Sequence, residues 1–362
     1  MYARLFWQPF PKMTTGCIPL FKLPQKALAK VSQIFEVNEI VNVSLCSKNS
    51  KKSLKELGNQ YKNANLFMPG ILNNPLTIQF LTDKEGHWPI SILPISKLST
   101  GEKYKTVRIG GSIVPITQGD FGLQSFWGNT TVGLKLVVEY LVDLFDTPIQ
   151  HISLSASKYS EIRNVLEWNC INPVEQCDLD IETEVTDEEM THFLKNLKVS
   201  DTLNLNIKPR PQFRHCRSFE LGQLKMTHAY WLDGDNLLRM NCQIMHLKDS
   251  KFTNRNLNDF LKSWIKGGCP YLKNLSFDME EKLDIEEMFE GITVAMRAKD
   301  VERDFALDNC SLRSILIKGG FDIKRNDGVT ATVFRIEKKN MESEFGLVKW
   351  PDWKNRSYSW ME

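Results

Sequence analysis

No stretch of the chain approaches the roughly 20 consecutive apolar residues that a membrane-spanning helix needs, so no helical span is expected. Residues Met1 to Phe10 have neither a long apolar core nor a small-residue cleavage site, which argues against a signal peptide. Charge of one sign is not in excess. The 46 basic and 44 acidic residues leave a net charge of +2. That balance gives no footprint for nucleic acid and no attraction to an anionic membrane, so neither partner is expected. The basic pairs Lys51-Lys52 and Lys338-Lys339 read as solvated surface.

Signatures of chemistry are equally scarce. The eight cysteines, at 17, 46, 170, 177, 216, 242, 269 and 310, include no C-x-x-C pair. Scattered in this way they read as reduced thiols, and the expected location is intracellular, cytoplasmic or nuclear. The six histidines show no metal-binding spacing, and His215-Cys216 is an adjacent pair whose side chains diverge. Asp233-Gly234-Asp235-Asn236 misses the downstream Glu of a calcium loop and reads as a turn with a helix cap. Gly110-Gly111 is neither a P-loop nor a dinucleotide fingerprint, and no G-x-S-x-G elbow occurs. Trp168, Trp231 and Trp264 read as core. No catalytic residue, metal or cofactor is expected.

What the chain does contain is α/β texture. Residues 61–125 are rich in β-formers and turn residues. Leu76, Ile78 and Phe80 alternate with polar neighbours, Ile90 and Ile92 suggest the returning strand, and Gly110-Gly111 suggests a second hairpin. From about residue 126 amphipathic helices alternate with half-apolar strands. Helix positions recur at Leu134, Ile162 and Met190, and strand positions at Leu154, Ile181 and Ile207. Thr186 and Glu189 fit a capping box, and Thr253 fits a cap before Leu257, Phe260, Leu261 and Trp264. A helix–strand unit repeated about every 27 residues predicts a leucine-rich-repeat-like array. A single α/β domain with a mixed sheet is the competing reading. The segment 210–250 is irregular, and Thr332 to Ile336 with Phe345 to Trp350 predict a closing hairpin.

Residues 18–60 form a separate helical module. Pro24 suits a helix start. Leu23, Ala27, Leu28, Val31, Ile34 and Phe35 then fall on one helical stripe. Asn38 is the expected cap of a second helix bearing Ile40, Val41, Ser44 and Leu45. Ser50 is the expected cap of a third, with Leu54 and Leu57 inward and Gly58 as its stop. Three helices in about 40 residues sit near the lower limit for a core, so the module is expected to lean on a neighbour or a partner.

The order Leu23-Pro24, Val31, Glu36, Ile40 and Ser44-Leu45-Cys46-Ser47-Lys48 resembles the F-box, although many F-boxes carry Trp where this chain has Ser50. The resemblance implies docking on the Skp-type linker subunit of a cullin–RING ubiquitin ligase. It also implies that Leu23, Pro24, Val31, Ile34, Ile40 and Leu45 make the linker contact or hold the module together. Phe252-Thr253-Asn254, Leu257 to Ile265, Gly267, Ile323 to Gly328, Ala331-Thr332 and Trp350 resemble the nematode F-box-associated domain. With that family comes the expectation of a non-catalytic, substrate-recruiting adaptor whose 126–362 region holds an unidentified target protein. A scaffold or an α/β enzyme with an N-terminal dimerisation module is the alternative.

Overall fold

The computed structural model describes residues 20–56, 65–68, 76–82, 86–101, 103–119, 122–171, 173–306, 314–337 and 343–351. They fall into two compact units, the first within Met1–Leu66 and Pro75–Pro148, the second within Phe67–Asn74 and Ile149–Glu362. The fold is mixed α/β. Leu57, Gly58, Lys338 and Lys339 lie outside the described residues.

Three short helices open the first unit: α1 (Gln25–Ser32), α2 (Val37–Ser44) and α3 (Lys48–Glu56). Pro24 is the N-cap of α1, and its carbonyl accepts the Leu28 N–H at 2.9 Å. Two caps differ from the expected ones. α2 starts before Asn38, and the Glu39 carboxylate accepts the Glu36 backbone N–H at 2.9 Å. Ser47, not Ser50, caps α3, its Oγ accepting the Ser50 N–H at 3.0 Å. A capping oxygen reaches an N–H two or three residues onward, and Ser47 occupies that position. Leu28, Val37, Ile40, Val41 and Leu54 are buried.

A short strand, β1 (Asn65–Met68), follows. The strands wholly within the first unit are β2 (Leu76–Thr82), β3 (Gly86–Pro94), β4 (Lys105–Ile109), β5 (Ser112–Gly119) and β6 (Gly122–Trp127). They are ordered β2-β3-β6-β5-β4, with β3 and β6 parallel and the other pairs antiparallel. Gly110 and Gly111, both at positive φ, make the β4–β5 turn. α4 (Thr130–Phe145), capped by Asn129, packs on β2, β3, β4, β6 and α3. Its spacing had suggested the head of the later array. Periodicity records that Leu134, Val137, Val138 and Leu141 are buried, not what buries them.

The second unit contains β7 (Ile149–Ala156), α5 (Tyr159–Leu166), β8 (Val174–Ile181), α6 (Asp187–Asn196), β9 (Val199–Asn206) and β10 (Gln223–Met226). It continues with α7 (Gly234–Arg239), β11 (Ile244–Phe252), α8 (Asn254–Ile265), β12 (Asn274–Met279) and α9 (Ile285–Met288). Strands β7 to β12 are parallel and in sequence order. Thr186 with Glu189, Asp233 with Asn236 and Thr253 with Asn256 form capping boxes at α6, α7 and α8. Trp231, Trp264, Phe193, Phe252 and Phe277 fill the core. The β9–β10 crossover, residues 207–222, carries no α-helix.

Four antiparallel strands complete this unit: β13 (Ala295–Ala306), β14 (Ser314–Lys324), β15 (Thr330–Glu337) and β16 (Ser343–Lys349). β16 pairs with β12, so the order runs β12-β16-β15-β14-β13. The β15–β16 hairpin was legible in sequence. β13 was not, because its charged residues, all but Arg303 exposed, hide the alternation that marks a strand.

Candidate functional site: a polar sheet face and an N-terminal apolar rim

Parallel strands are normally buried on both faces. In β7 to β12 one face carries Ile152, Leu154, Leu179, Leu203, Leu205, Leu224, Met245 and Leu275, all buried. The alternate residues are mostly polar and reach solvent on β7 to β11, while Asn274 and Ser276 on β12 are buried. Ser153, Asp178, Asn204, Lys225, His246 and Ser276 stand opposite one another in a row from β7 to β12. A second row runs His151, Gln176, Thr202, Gln223, Ile244 and Asn274.

Side-chain bonds fix much of this surface. Asp178 receives the Asn204 amide at 2.5 Å and lies 2.7 Å from His151 Nε2. These two bonds, His151's first, hold the Asp178 carboxyl below the usual carboxylate range against the opposing effect of burial. Asn206 donates to Asp180 at 2.7 Å, and His246 Nδ1 lies 2.8 Å from Ser276 Oγ. Burial pushes the His246 pKa down, so its imidazole is neutral at pH 7. Lys225 and Lys248 are exposed on the same face. The result is a set of positioned donors and acceptors spread over several strands, suited to a broad polar contact.

Other polar clusters are structural ties. Tyr159 OH lies 2.7 Å from His192 Nδ1, and His192 Nε2 lies 2.8 Å from Glu167, linking α5 to α6. Burial raises the Tyr159 pKa and encloses the ring. Among the described residues, no group of three or more His, Cys, Asp or Glu is placed to hold a metal ion. None of the described helices is long and apolar enough to cross a membrane.

In the first unit the six residues singled out by sequence divide by exposure. Ile34 is 77% exposed and Pro24 is exposed, while Leu23, Val31 and Leu45 are half-buried. Ile40, 7% exposed, belongs to the core of the module. Phe21, which sequence did not single out, adds an exposed ring just before α1. Residues of α2 and α3 fasten the module to α4. Ser44 Oγ lies 2.8 Å from the Tyr140 hydroxyl, Lys51 Nζ lies 2.7 Å from Asp143, and Lys55 also bonds Asp143. The Lys51 ammonium sits over the Tyr140 ring, 3.8 Å from its centroid. The module thus leans on α4 and keeps an apolar rim around α1.

Residues 212–277 match the family described as F-box associated. The matched stretch runs through β10, α7, β11 and α8 into β12, and therefore carries part of the polar sheet face. Two uncharacterized proteins of Caenorhabditis elegans align with most of the chain. F59B2.9 is 23% identical over 88% of this chain and 76% of its own length. F59B2.8 is 21% identical over 92% and 78%. The Skn-1 dependent zygotic transcript 15 protein of the same organism is 25% identical over 60% of this chain and 64% of its own length. No solved structure matches the chain.

The F-box-associated resemblance rests on residues that turn out to be structural. Asn254 binds Glu281 and the Lys282 carbonyl, and its Oδ1 accepts the Asp284 N–H at 2.9 Å. Asn258 Nδ2 donates to the carbonyls of Met288 and Glu290. Arg325 lies over the Trp264 ring, and Asn326 N–H donates to the Ile265 carbonyl. The motif therefore ties α8 to α9 and to the β14–β15 turn.

Proposed function

We propose that this chain is a substrate-recognition adaptor of a cullin–RING ubiquitin ligase acting inside the cell, in the cytoplasm or nucleus. Helices α1 to α3 serve as an F-box-like module that docks a Skp-type linker and, through it, a cullin. The parallel series β7 to β12, a leucine-rich-repeat-like arrangement, presents its polar face to a target protein. The match of residues 212–277 to the F-box-associated family is the observation that carries this reading. The exposed Phe21, Pro24 and Ile34, with half-buried Leu23, Val31 and Leu45, support linker contact through this module. Ile40 contributes by shaping the core beneath these residues. Such an adaptor needs no catalytic group, because it works by raising the target's effective concentration near the ligase.

Co-purification of the full chain with a Skp-type linker tests the reading. The wild type is expected to form a stable complex, and Pro24→Ala combined with Ile34→Asp to lose it with an unchanged melting temperature. A wild-type chain that elutes as a homo-oligomer and ignores the linker would overturn the adaptor role in favour of a scaffold with a helical dimerisation module.

A further inference from the structure

The β9–β10 crossover leaves a gap in the helical layer. Where the neighbouring crossovers lay an α-helix over the sheet, residues 217–221 run without a helix. Between this segment and α6 lies a cleft lined by Phe193, Leu194, Leu197, Leu203, Arg217 and Phe219. Its outer wall is held in place. Buried Asn236 donates to the carbonyls of His215 and Arg217 at 3.0 and 3.3 Å. The Phe219 carbonyl accepts the Asn241 N–H at 2.9 Å, and the Leu221 carbonyl accepts the Gln243 N–H at 3.0 Å. The cleft is therefore built before any ligand arrives, which lowers the ordering cost of binding.

Its charge is unbalanced. Arg217 is half-buried with its guanidinium 5.3 Å from the Phe219 ring centroid, and it makes no ion pair with any described residue. Glu220 also borders the cleft but is exposed and lies beyond ion-pair reach. Burial alone lowers the Arg217 pKa, with no neighbouring carboxylate to offset it. A cationic group half removed from water beside an apolar trough favours an anion carried on an apolar stem.

We infer that this cleft binds a peptide segment of the target in which a carboxylate adjoins an aliphatic or aromatic side chain, the carboxylate meeting Arg217 and the side chain entering between α6 and residues 217–221. This rests on the adaptor reading and adds to the polar face a second target contact, on the helix-covered side of the sheet, with the chemistry of its anchoring residues named. Methyl-labelled full-length protein titrated with acetyl-Phe-Leu bearing a free carboxylate should show shifts at Leu194, Leu197 and Leu221. The carboxamide form of the peptide, or Arg217→Met, should weaken binding about tenfold, the loss of one charge-assisted contact. Ser218→Trp at the exposed mouth should abolish it without lowering the melting temperature. Equal binding of acid and amide, shifts confined to other residues, no shift at millimolar peptide, or tighter binding of octanoate than of the peptide would each overturn the inference. Arg217→Met should leave linker co-purification intact, so loss of the linker complex in the wild type marks failure of the adaptor reading, and loss of the peptide effect marks failure of the cleft.

Discussion

Ser44 Oγ and the Tyr140 hydroxyl lie 2.8 Å apart although far separated in the chain, and they join α2 to α4. Ser44 also donates to the Val41 carbonyl at 2.7 Å, so the tyrosine acts as the fixed end of a short bonded chain. Tyr140→Phe should destabilise the protein by about 1 kcal/mol, the net worth of a half-buried hydrogen bond, measured by urea denaturation. Burial first, and the nearby Asp143 charge as a lesser cause, push the Tyr140 hydroxyl up to about 12. A raised folded pKa means stability that is present below the unfolded value near 10 and is lost as pH rises toward 12. Tyr140→Phe should remove that part of the alkaline loss.

Gly133 in α4 offers a contest of signs. Alanine is favoured over glycine inside a helix by about 1 kcal/mol. A Cβ at Gly133, however, would stand 2.5 Å from the Trp127 ring. That indole is held by its Nε1 bond to Ser125 Oγ at 3.0 Å, and Ser125 in turn bonds the Ser91 carbonyl. The ring cannot retreat cheaply, so Gly133→Ala should lower the melting temperature, and Gly133→Ala with Trp127→Leu should recover part of the loss.

The α8 motif should be costly to disturb. Asn258→Ala orphans the Met288 and Glu290 carbonyls and should cost about 1–3 kcal/mol. Trp264→Ala empties a fully buried site and should cost about 3–5 kcal/mol. Tyr271→Ala, on a 63% exposed ring, should change denaturation midpoints little.

Acid stability should depend on Asp322. Burial pushes its carboxyl up, but bonds from Thr332, Arg303 and Arg297 outweigh burial and hold it below the usual carboxylate value. Its contribution is then present above the unfolded value near 3.9 and fades as pH falls through the lower folded value. Asp322→Asn should cost about 2 kcal/mol at neutral pH. It should also flatten the stability profile below pH ~4, read from melting temperatures across an acid series.

The α/β alternation, the capping box at α6, the Thr253 cap of α8 and the closing hairpin were legible in sequence, because each is written in local patterns a few residues long. The polar alternates His151, Ser153, Asp178 and Asn204 were legible as alternation as well. What sequence could not give was which side the helices would cover, since that depends on crossover packing. Charged β13 gave no strand signal, and α4 gave a burial signal without an address. The cleft beside Arg217 arises from a helix that does not form, which local patterns record only as irregularity. In the N-terminal module the six residues singled out shared one apolar signature, and only the packing of three helices separated Ile40 inside from Ile34 outside.

Strand β16 runs against β12 and occupies the edge where another parallel unit would have to attach. Growth of the series past β12 is therefore blocked by backbone polarity, and six parallel strands set its width. A lineage that needs to recognise something new on this scaffold must rewrite side chains in place, because it cannot lengthen the reading surface past β12.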